Sequence, residues 1–319
     1  MDTHRATASL PWIDGPAVRA ALSPRAAVDA LEAALAAGLD PEADAPRTRV
    51  STAAGQLLQM PSTRGTEVDT KLLTLTPDNP ERGLPVIQGV YVLFGAPGTP
   101  GQAPRAVLDG VELTGLRTSA VSALGVRLLA DASPRHLVVV GTGVQAWEHA
   151  LTFQDVFGLE RVSVVGRDAD RAAALAARIE AELGVTASAA GPEAVAEADV
   201  VVTCTAATAP LFDGTLVPEH ATVVAMGSHT TDARETDDAL ARRATVAVES
   251  RDSAAREAGD VTLAIDSGAL AGIEDTVTLA ELVAGTARRR EGAPALFVTT
   301  GMPWQDLVVA SAVAREVLG

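Results

Sequence analysis

The chain has 319 residues and is 47% hydrophobic, so it can bury more core than one ordinary domain requires. Its formal net charge of −16 argues against a broad phosphate-binding surface, so nucleic acid is a poor partner. The single cysteine, Cys204, excludes an intrachain disulfide and agrees with a reducing compartment. No apolar run is long enough to span a bilayer, and the first residues lack the apolar core of a signal peptide. We therefore expect a cytoplasmic protein with no membrane partner.

The first third of the chain has the pattern of a helix followed by an antiparallel sheet. Residues 25–38 carry apolar side chains at helical spacing and end on a glycine. From residue 50 to 94, short apolar or alternating runs separated by Gly, Pro and Asn predict antiparallel strands. Residues 95–105 indicate a Gly/Pro-rich hairpin connection, and residues 106–113 the next strand. An amphipathic helix is predicted over residues 114–130.

Strand and helix patterns alternate from residue 136 onward at the spacing of parallel βαβ units. The tail after residue 293 has the pattern of a strand, a turn and an amphipathic helix that packs back on the first part of the chain. We therefore predict an α/β fold, in which a Rossmann-type doubly wound parallel sheet joins an α+β N-terminal domain.

The turn after the first of these strands has the form G-x-G-x-x-A, from Gly141 to Ala146. Gly141 permits the tight turn, Gly143 lets the backbone approach a pyrophosphate, and small Ala146 allows the helix to pack closely on the strand. The helix N-terminus then faces the phosphates. The pattern predicts a dinucleotide site, and the alternative is a glycine turn that binds nothing.

The next strand ends in Gly166-Arg167-Asp168. NAD-type sites usually place an acid at this strand end to accept hydrogen bonds from the ribose hydroxyls. Here glycine stands at that position and arginine follows, and a guanidinium can neutralise a 2′-phosphate. NADP(H) is therefore favoured over NAD(H), although Asp168 leaves NAD(H) open.

With these features the chain resembles the ornithine cyclodeaminase/mu-crystallin family over nearly its whole length. The residues that carry the resemblance are APRT (45–48), LLQMP (57–61), TKLLT (70–74), LDGVELTGLRTSAVSA (108–123), VVGTGVQA (139–146), MGSHTTDARETDDAL (226–240) and TTGMPWQDL (299–307). The resemblance implies a homodimer paired through its N-terminal sheets, with the active site in the cleft between two domains. The substrate-binding and dimerisation domain is expected over residues 1–116 and 302–319, and the NAD(P)-binding Rossmann domain over residues 117–301.

The resemblance also implies site residues. Arg47, Lys71 and Arg117 fall on the positions that bind the substrate carboxylate, and Glu257 aligns with an acidic pocket residue of the mu-crystallin branch. The positions expected to contact the nucleotide are Thr118, Val144, Gln145, Thr205, Met226 and Thr300.

His229 marks a departure from the cyclodeaminase branch, which has at this position an aspartate assigned to proton transfer and water activation. Without that carboxylate, ornithine cyclodeamination lacks a base for the amine and for water. The segment DARETDD (232–238) and the strand end GRD (166–168) resemble the mu-crystallin and ketimine reductase branch instead.

Reduction of a cyclic ketimine acid requires that the carboxylate is bound, that the imine nitrogen is protonated, and that a hydride reaches the imine carbon. Arg47 and Arg117 suit the first task, because guanidinium binds carboxylate in a bidentate way and keeps its proton. Lys71, the only lysine, suits the second, because burial beside two cations lowers its pKa from about 10.4. Two alternatives remain. In the first, Lys71 only adds positive charge to the group that binds the substrate carboxylate. In the second, His229 is the proton donor rather than a solvent-facing loop residue.

The leading hypothesis is an NAD(P)H-dependent oxidoreductase acting on CH–NH bonds. It would reduce pyrroline- or piperideine-2-carboxylate-type imino acids or perform related amino-acid dehydrogenase chemistry. The alternatives are ornithine cyclodeaminase, an enzyme that joins or cleaves amino acids through a bound imine, and a non-catalytic mu-crystallin-like binding protein. Cys204 is expected to be a buried residue rather than a nucleophile. No metal is expected, because His and Cys are scattered.

Overall fold

A computed structural model describes residues 10–95 and 101–319. Within this part of the chain, the first sheet is six-stranded, with β2 to β6 antiparallel and β1 parallel to β6, in the order β1-β6-β5-β4-β3-β2. Its strands are β1 (Trp12–Ile13), β2 (Thr48–Thr52), β3 (Gly55–Arg64), β4 (Glu67–Leu75), β5 (Ile87–Phe94) and β6 (Pro104–Asp109). The antiparallel sheet expected from residue 50 to 94 is thus present. Residues 96–100 of the expected hairpin connection lie outside the described part.

Two helices precede the sheet, α1 (Gly15–Ala21) and α2 (Pro24–Ala36). Each begins after a side chain that caps its N-terminus, Asp14 for α1 and Ser23 for α2, with proline in the first turn. The sequence pattern predicted α2 but not α1, whose short length gives little periodicity to detect.

The second sheet has eight parallel strands in the described residues, in the order β13-β12-β14-β11-β10-β7-β8-β9. They are β7 (His136–Val140), β8 (Arg161–Val165), β9 (Thr186–Ala190), β10 (Val200–Thr203), β11 (Thr222–Ala225), β12 (Thr245–Val248), β13 (Val277–Thr278) and β14 (Ala295–Val298). The strand order reverses between β7 and β10, which is where doubly wound folds bind ligands. The predicted fold class is confirmed.

Helices and 3₁₀ turns connect these strands. The helices are α4 (Val144–Phe157), α5 (Ala169–Leu183), α6 (Asp238–Arg243), α7 (Arg251–Glu257), α8 (Gly259–Asp266) and α9 (Leu279–Val283). The 3₁₀ turns, including two in the first part of the chain, span Pro41–Ala43, Asn79–Arg82, Pro192–Glu197, Gly214–Leu216 and Ile273–Asp275.

Helix α3 (Gly110–Leu129) is the central helix, and it differs from the prediction in two ways. It begins at Gly110, capped by Asp109, so residues 110–113 are helical rather than part of a strand. It is also buried on nearly all sides rather than amphipathic, because it contacts both sheets and the helices α2, α4 and α10. The predicted domain boundary between residues 116 and 117 falls inside this helix, and the division into domains stays a prediction.

The last helix, α10 (Pro303–Leu318), returns to the first sheet, as the sequence predicted. It packs on β3, β4 and α2, and its residues from Pro303 to Ala314 are all buried. In the described part of the chain, no helix combines the length and hydropathy needed to cross a membrane. Nor do the residues described group three or more His, Cys, Asp or Glu side chains as a metal ion would require.

Candidate active site

A cavity lies between the inner face of the first sheet and the loops at the carboxyl ends of the second. We call its lining the cavity wall: Arg47, Arg49, Leu58, Met60, Leu73, Leu75, Ile87, Thr114, Arg117, Thr118, Gln145, Met226, His229, Thr299, Thr300 and Gly301. Both sheets contribute to this wall, together with helices α3 and α4. Seven residues selected from the sequence therefore meet at one place: Arg47, Arg117, Thr118, Gln145, Met226, His229 and Thr300.

Lys71 lies behind the cavity wall, fully buried on the inner face of β4. Its Nζ donates to both carboxylate oxygens of Asp306, at 2.9 and 2.8 Å. Arg117 Nε donates to the same carboxylate at 3.1 Å, and Arg117 Nη1 donates to Gln305 Oε1 at 3.2 Å. One buried carboxylate thus joins Lys71 to an arginine of the wall.

Burial, together with the nearby Arg117 guanidinium, lowers the pKa of Lys71 to about 7, while Asp306 opposes the shift. An ammonium with this pKa can give up a proton near neutral pH. On the same face of β4, burial beside Asp306 and Asp44 raises the pKa of Asp69 to about 9. Asp69 is therefore protonated near neutrality and leaves Asp306 as the charged partner of Lys71.

Arg47 is held by an ion pair and by two backbone carbonyls. Its Nε pairs with Glu257 at 2.9 Å, and its Nη2 donates to the backbone carbonyls of Thr300 and Gly301 at 2.7 and 2.6 Å. Glu257, at the end of α7, thus pairs with Arg47, although it is not itself one of the residues of the cavity wall.

Glu249 fixes the loop that carries Thr300. Its buried carboxylate accepts hydrogen bonds from the backbone N–H of Thr300 and Gly301, both at 3.0 Å, and from the Thr299 hydroxyl at 2.7 Å. It also accepts a bond from the Gln305 amide, which in turn contacts Arg117. The two arginines are therefore tied to one loop.

His229 is half-buried in the wall rather than facing solvent. Burial, with Arg47, Arg49, Arg117 and Lys71 around it, lowers its pKa to about 3. At neutral pH the imidazole is therefore uncharged. The fully buried Lys71 is the better proton source of the two candidates.

The glycine turn has the form that a dinucleotide needs. Gly141 has a φ of +130°, and a Cβ there would lie 2.6 Å from the carbonyl oxygen of Cys204. Gly143, the N-cap of α4, has no heavy atom within 4 Å of its Cβ position and caps with no side-chain bond, so the helix N-terminus is open to a phosphate. Ala146 is fully buried where helix meets strand, and Val144 is exposed at the loop tip.

Two further polar groups of the wall suit a bound nicotinamide nucleotide. Thr118 Oγ1 and Gln145 Oε1 are buried and have no hydrogen-bond partner among the described residues. Buried polar atoms rarely stay unpaired, so a ligand is the expected partner. The residues present therefore fit the predicted cofactor.

At the end of β8, the three predicted residues differ in role. Gly166 packs against Thr142, since a Cβ there would lie 2.7 Å from the threonine methyl. Asp168 caps α5, accepting from the backbone N–H of Asp170 and Arg171 at 3.1 Å. Arg167 is exposed. One oxygen of the Asp168 carboxylate is thus engaged in the cap, and the Arg167 guanidinium is accessible.

Thr205, expected near the nucleotide, is held by Glu235. This carboxylate accepts bonds from the Thr205 and Thr203 hydroxyls, and from the backbone N–H of Gly227 at 2.8 Å. It therefore clamps the carboxyl ends of β10 and β11 together. Glu235 of the DARETDD segment thus has a structural role at the edge of the site.

Cys204 is half-buried, and burial raises the pKa of its thiol well above the usual value. Its Sγ lies 3.8 Å from His149 Nδ1, but burial lowers the pKa of His149 to about 4, so the imidazole is neutral. A thiolate is not stabilised here, which agrees with the expectation that Cys204 is not a nucleophile.

Four residues that hold or line the site were not predicted from the sequence: Asp306, Glu249, Gln305 and Arg49. Asp306 and Gln305 stand in the first turn of an otherwise apolar helix, and that contrast is a signal that could have marked them. Arg49 follows Arg47 by two residues, the spacing at which strand side chains share a face. Glu249 gives no comparable signal.

Comparison with known proteins shows which family and which relatives this chain resembles. The model of the ornithine cyclodeaminase/mu-crystallin family matches residues 16–319. Delta(1)-pyrroline-2-carboxylate reductase 2 of Burkholderia ambifaria is 36% identical over 265 residues, covering 83% of this chain and 81% of that protein. Ketimine reductase mu-crystallin of Mus musculus is 34% identical, covering 76% and 74%. The structure of Thermococcus litoralis Delta(1)-pyrroline-2-carboxylate reductase with NADH and L-proline has a TM-score of 0.88 at 25% identity, covering 97% and 98%.

Gly301 allows Arg117 to lie in the site, and this can be tested with two glycines of similar backbone geometry. Gly301 and Gly268 have φ values of +74° and +72°, but only at Gly301 would a Cβ meet a neighbour, Arg117 Nη1 at 2.3 Å. Both alanine variants carry the left-handed backbone cost of about 1–2 kcal/mol. Gly301→Ala should lose about 1–3 kcal/mol more in free energy of unfolding, measured by urea denaturation, because Arg117 is displaced from Asp306. Equal losses in the two variants would refute this account of Gly301.

Proposed function

We propose that this chain, which belongs to the ornithine cyclodeaminase/mu-crystallin family, is an NAD(P)H-dependent reductase of cyclic imino acids. Pyrroline-2-carboxylate and piperideine-2-carboxylate are the substrate types. The observation that carries the proposal is one cavity wall that joins two arginines and a neighbouring low-pKa lysine to the nucleotide loop. Relatives named as pyrroline-2-carboxylate and ketimine reductases support it.

The arginines of the wall bind the substrate carboxylate. Arg117 and Arg47 are fixed by Asp306 and Glu257, so little side-chain freedom is lost when a carboxylate binds. Guanidinium pairs with carboxylate in a bidentate geometry, which orients the imine carbon as well as holding the acid. A bound nicotinamide nucleotide supplies the hydride to that carbon.

Lys71 supplies the proton to the imine nitrogen. Asp306 accepts two of the three N–H bonds of the Lys71 ammonium, so the third is available to the imine nitrogen. After transfer, the neutral amine of Lys71 remains beside Asp306 and takes its next proton from solvent. His229 is not the donor, because its imidazole is uncharged at neutral pH.

Ornithine cyclodeaminase is less well supported. Three arginines but no aspartate or glutamate stand among the residues described on the cavity wall. The second ammonium group of ornithine would therefore face cations rather than a carboxylate. A substrate with one acidic group and no free ammonium fits this wall better.

NADPH rather than NADH is the coenzyme we propose. The exposed Arg167 suits a 2′-phosphate, while Asp168 uses its Oδ1 to cap α5. The structure of the Thermococcus litoralis reductase contains NADH. A preference for NADPH would therefore distinguish this chain from that relative.

A homodimer paired through the outer face of the first sheet is the assembly we propose. Apolar residues of adjacent strands lie side by side on this face: Leu72 beside Val90, and Val107 between Val92 and Trp12, which is 54% exposed. Sedimentation should give twice the mass of one chain, and a monomer at micromolar concentration would contradict the proposal. A cytoplasmic location, proposed from the single cysteine, is testable by cell fractionation.

The function is tested by following NADPH and NADH absorbance with both cyclic imines, while ammonia release from ornithine is measured in parallel. We expect stoichiometric coenzyme oxidation by the imines, with kcat/KM falling as pH rises above about 7, because Lys71 then loses its proton. Ammonia release without coenzyme oxidation would establish the cyclodeaminase instead.

Lys71→Arg separates proton donation from charge. It keeps a cation but removes the acid, so kcat should fall by about 10²–10⁴-fold. Coenzyme binding, followed by nucleotide fluorescence, should be retained and serves as the folding control. If Lys71→Arg turned over as fast as the wild type, the proton-donor role would be wrong. Lys71 would then contribute only positive charge to carboxylate binding.

Arg167→Ala tests the coenzyme preference. It should weaken NADPH binding by about tenfold or more and change NADH binding little, since only the 2′-phosphate interaction is removed. Tighter binding of NADH than NADPH by the unmodified protein would contradict the preference.

A further inference from the structure

We propose that Lys71 regains its proton through Asp69, Ser62 and Asp44, from a second cavity that lies apart from the substrate. The inference rests on the proposed imine reduction, in which Lys71 gives up one proton in each turnover. The three relay residues act through Lys71 and contact neither the substrate nor the coenzyme.

The second cavity has a volume of about 610 Å³ and lies between α2, β3, the start of α10 and the segment that joins α2 to β2. Asp44, Ser62 and Trp304 are among the residues that line it. Its rim includes the exposed Gly38 and Thr63, so the cavity is open to water. In the described part of the chain, it shares no residue with the cavity wall.

Strand register places Lys71 between the two cavities. Inward-facing side chains of β3 and β4 pair in successive rows: Leu58 with Leu73, Met60 with Lys71, and Ser62 with Asp69. Leu58, Leu73 and Met60 belong to the cavity wall, whereas Ser62 lines the second cavity. The row that contains Lys71 therefore has the substrate cavity on one side and the Asp69 row on the other.

Hydrogen bonds connect Asp69 to the second cavity. Its Oδ1 accepts from the backbone N–H of Ser62 at 2.8 Å. The Ser62 hydroxyl donates to Asp44 Oδ1 at 2.7 Å, and Asp44 Oδ2 accepts from the backbone N–H of Trp304 at 2.7 Å. A serine hydroxyl both accepts and donates, and it rotates, so Ser62 can pass a proton from one carboxyl group to the other.

The Asp69 carboxyl group holds the proton that Lys71 receives. Its Oδ2 is buried and has no hydrogen-bond partner among the described residues. Because Asp69 is protonated near neutrality and its Oδ1 is an acceptor, Oδ2 carries the hydrogen. Asp69 and Lys71 share the inner face of β4 two residues apart, a separation of about 7 Å that two side chains and one water molecule span. The charged groups that act on Asp69 are Asp306 of α10, Asp44 and Lys71.

One proton crosses the relay in each turnover. When the imine nitrogen has taken a proton from Lys71, the neutral amine accepts the Asp69 proton, and the Asp69 carboxylate takes one from Ser62. Asp44 refills Ser62, and burial raises the pKa of Asp44 to about 6, so it exchanges protons with water near neutral pH. Burial raises the pKa of Asp69 to about 9 and lowers that of Lys71 to about 7, so the first transfer is uphill by about a hundredfold. Refilling of Asp69 from Ser62 completes it.

The relay is tested by hydrogen exchange of the Lys71 ammonium. In protein made with isotope-labelled lysine this group gives a single side-chain signal, and its exchange with water is timed below about pH 7, where the ammonium predominates. The variants are Asp69→Asn and Ser62→Ala, with Thr63→Ala as the control, since Thr63 is an exposed hydroxyl residue of the same cavity. In Asp69→Asn the amide oxygen still accepts from Ser62 and a neutral side chain replaces a neutral one, so the pKa of Lys71 should change little.

We expect exchange to slow by about tenfold or more in Asp69→Asn and Ser62→Ala, and to be unchanged in Thr63→Ala. In the wild type, exchange should continue when NADPH and pyrrole-2-carboxylate, an aromatic acid with no imine to reduce, fill the substrate cavity. Exchange that Asp69→Asn does not slow, or that stops when the substrate cavity is filled, would overturn the relay and assign the proton route to that cavity.

Exchange also separates failure of the relay from failure of the proposed function, because it needs no turnover. Slowed exchange in Asp69→Asn of a protein that reduces no imine would retain the relay and refute the reductase. Imine reduction by a protein whose exchange is the same in all variants would retain the reductase and refute the relay.

Discussion

The carboxylate of Asp306 is the contact on which the site depends. It binds Lys71 of β4 and Arg117 of α3, and it stands in the first turn of α10, so it joins three elements that are distant in sequence. All three residues are at least 94% buried. Removing one member of such a buried ion pair typically costs about 3–5 kcal/mol, because a charge is left without a partner. The site therefore cannot form until the last helix has returned to the first sheet.

Two other buried carboxylates fix loops that border the cavity. Glu249 binds the backbone of the loop that carries Thr300, and Glu235 binds the ends of β10 and β11. Loops at the carboxyl ends of parallel strands are inherently free to move, and each of these is fixed by one acid. The cations that face the substrate are thus held before a ligand arrives, which reduces the conformational cost of binding.

Features that depend on local sequence could be predicted. The turn from Gly141 to Ala146 needs only its own residues and the strand and helix that flank it, and the parallel βαβ pattern follows from hydrophobic spacing. The antiparallel strands were predicted on the same grounds, whereas the return of α10 to the first sheet was implied by the family resemblance. The clustering of Arg47 and Arg117 followed from the family resemblance rather than from spacing.

Features that depend on tertiary contacts could not be predicted from the sequence. Helix α3 carries small and polar residues that suggest an exposed face, yet Ser119 and Ser122 bond inside the core, to Thr152 and His149. The role of Asp306 depends on its contacts with Lys71 and Arg117, which lie 235 and 189 residues away in the sequence. Without the family resemblance, His229 would have been predicted to face solvent. The sequence of a loop does not show which surface of the protein its side chains contact.

The most direct test of the account is the pKa of Lys71. Because the chain contains one lysine, protein prepared with isotope-labelled lysine gives a single side-chain resonance whose titration needs no assignment. We expect a midpoint about pH 7, which moves lower in Asp306→Asn because that carboxylate holds the Lys71 pKa up. A midpoint near the free-lysine value of about 10.4 would contradict the proposal that Lys71 is the acid of the reaction.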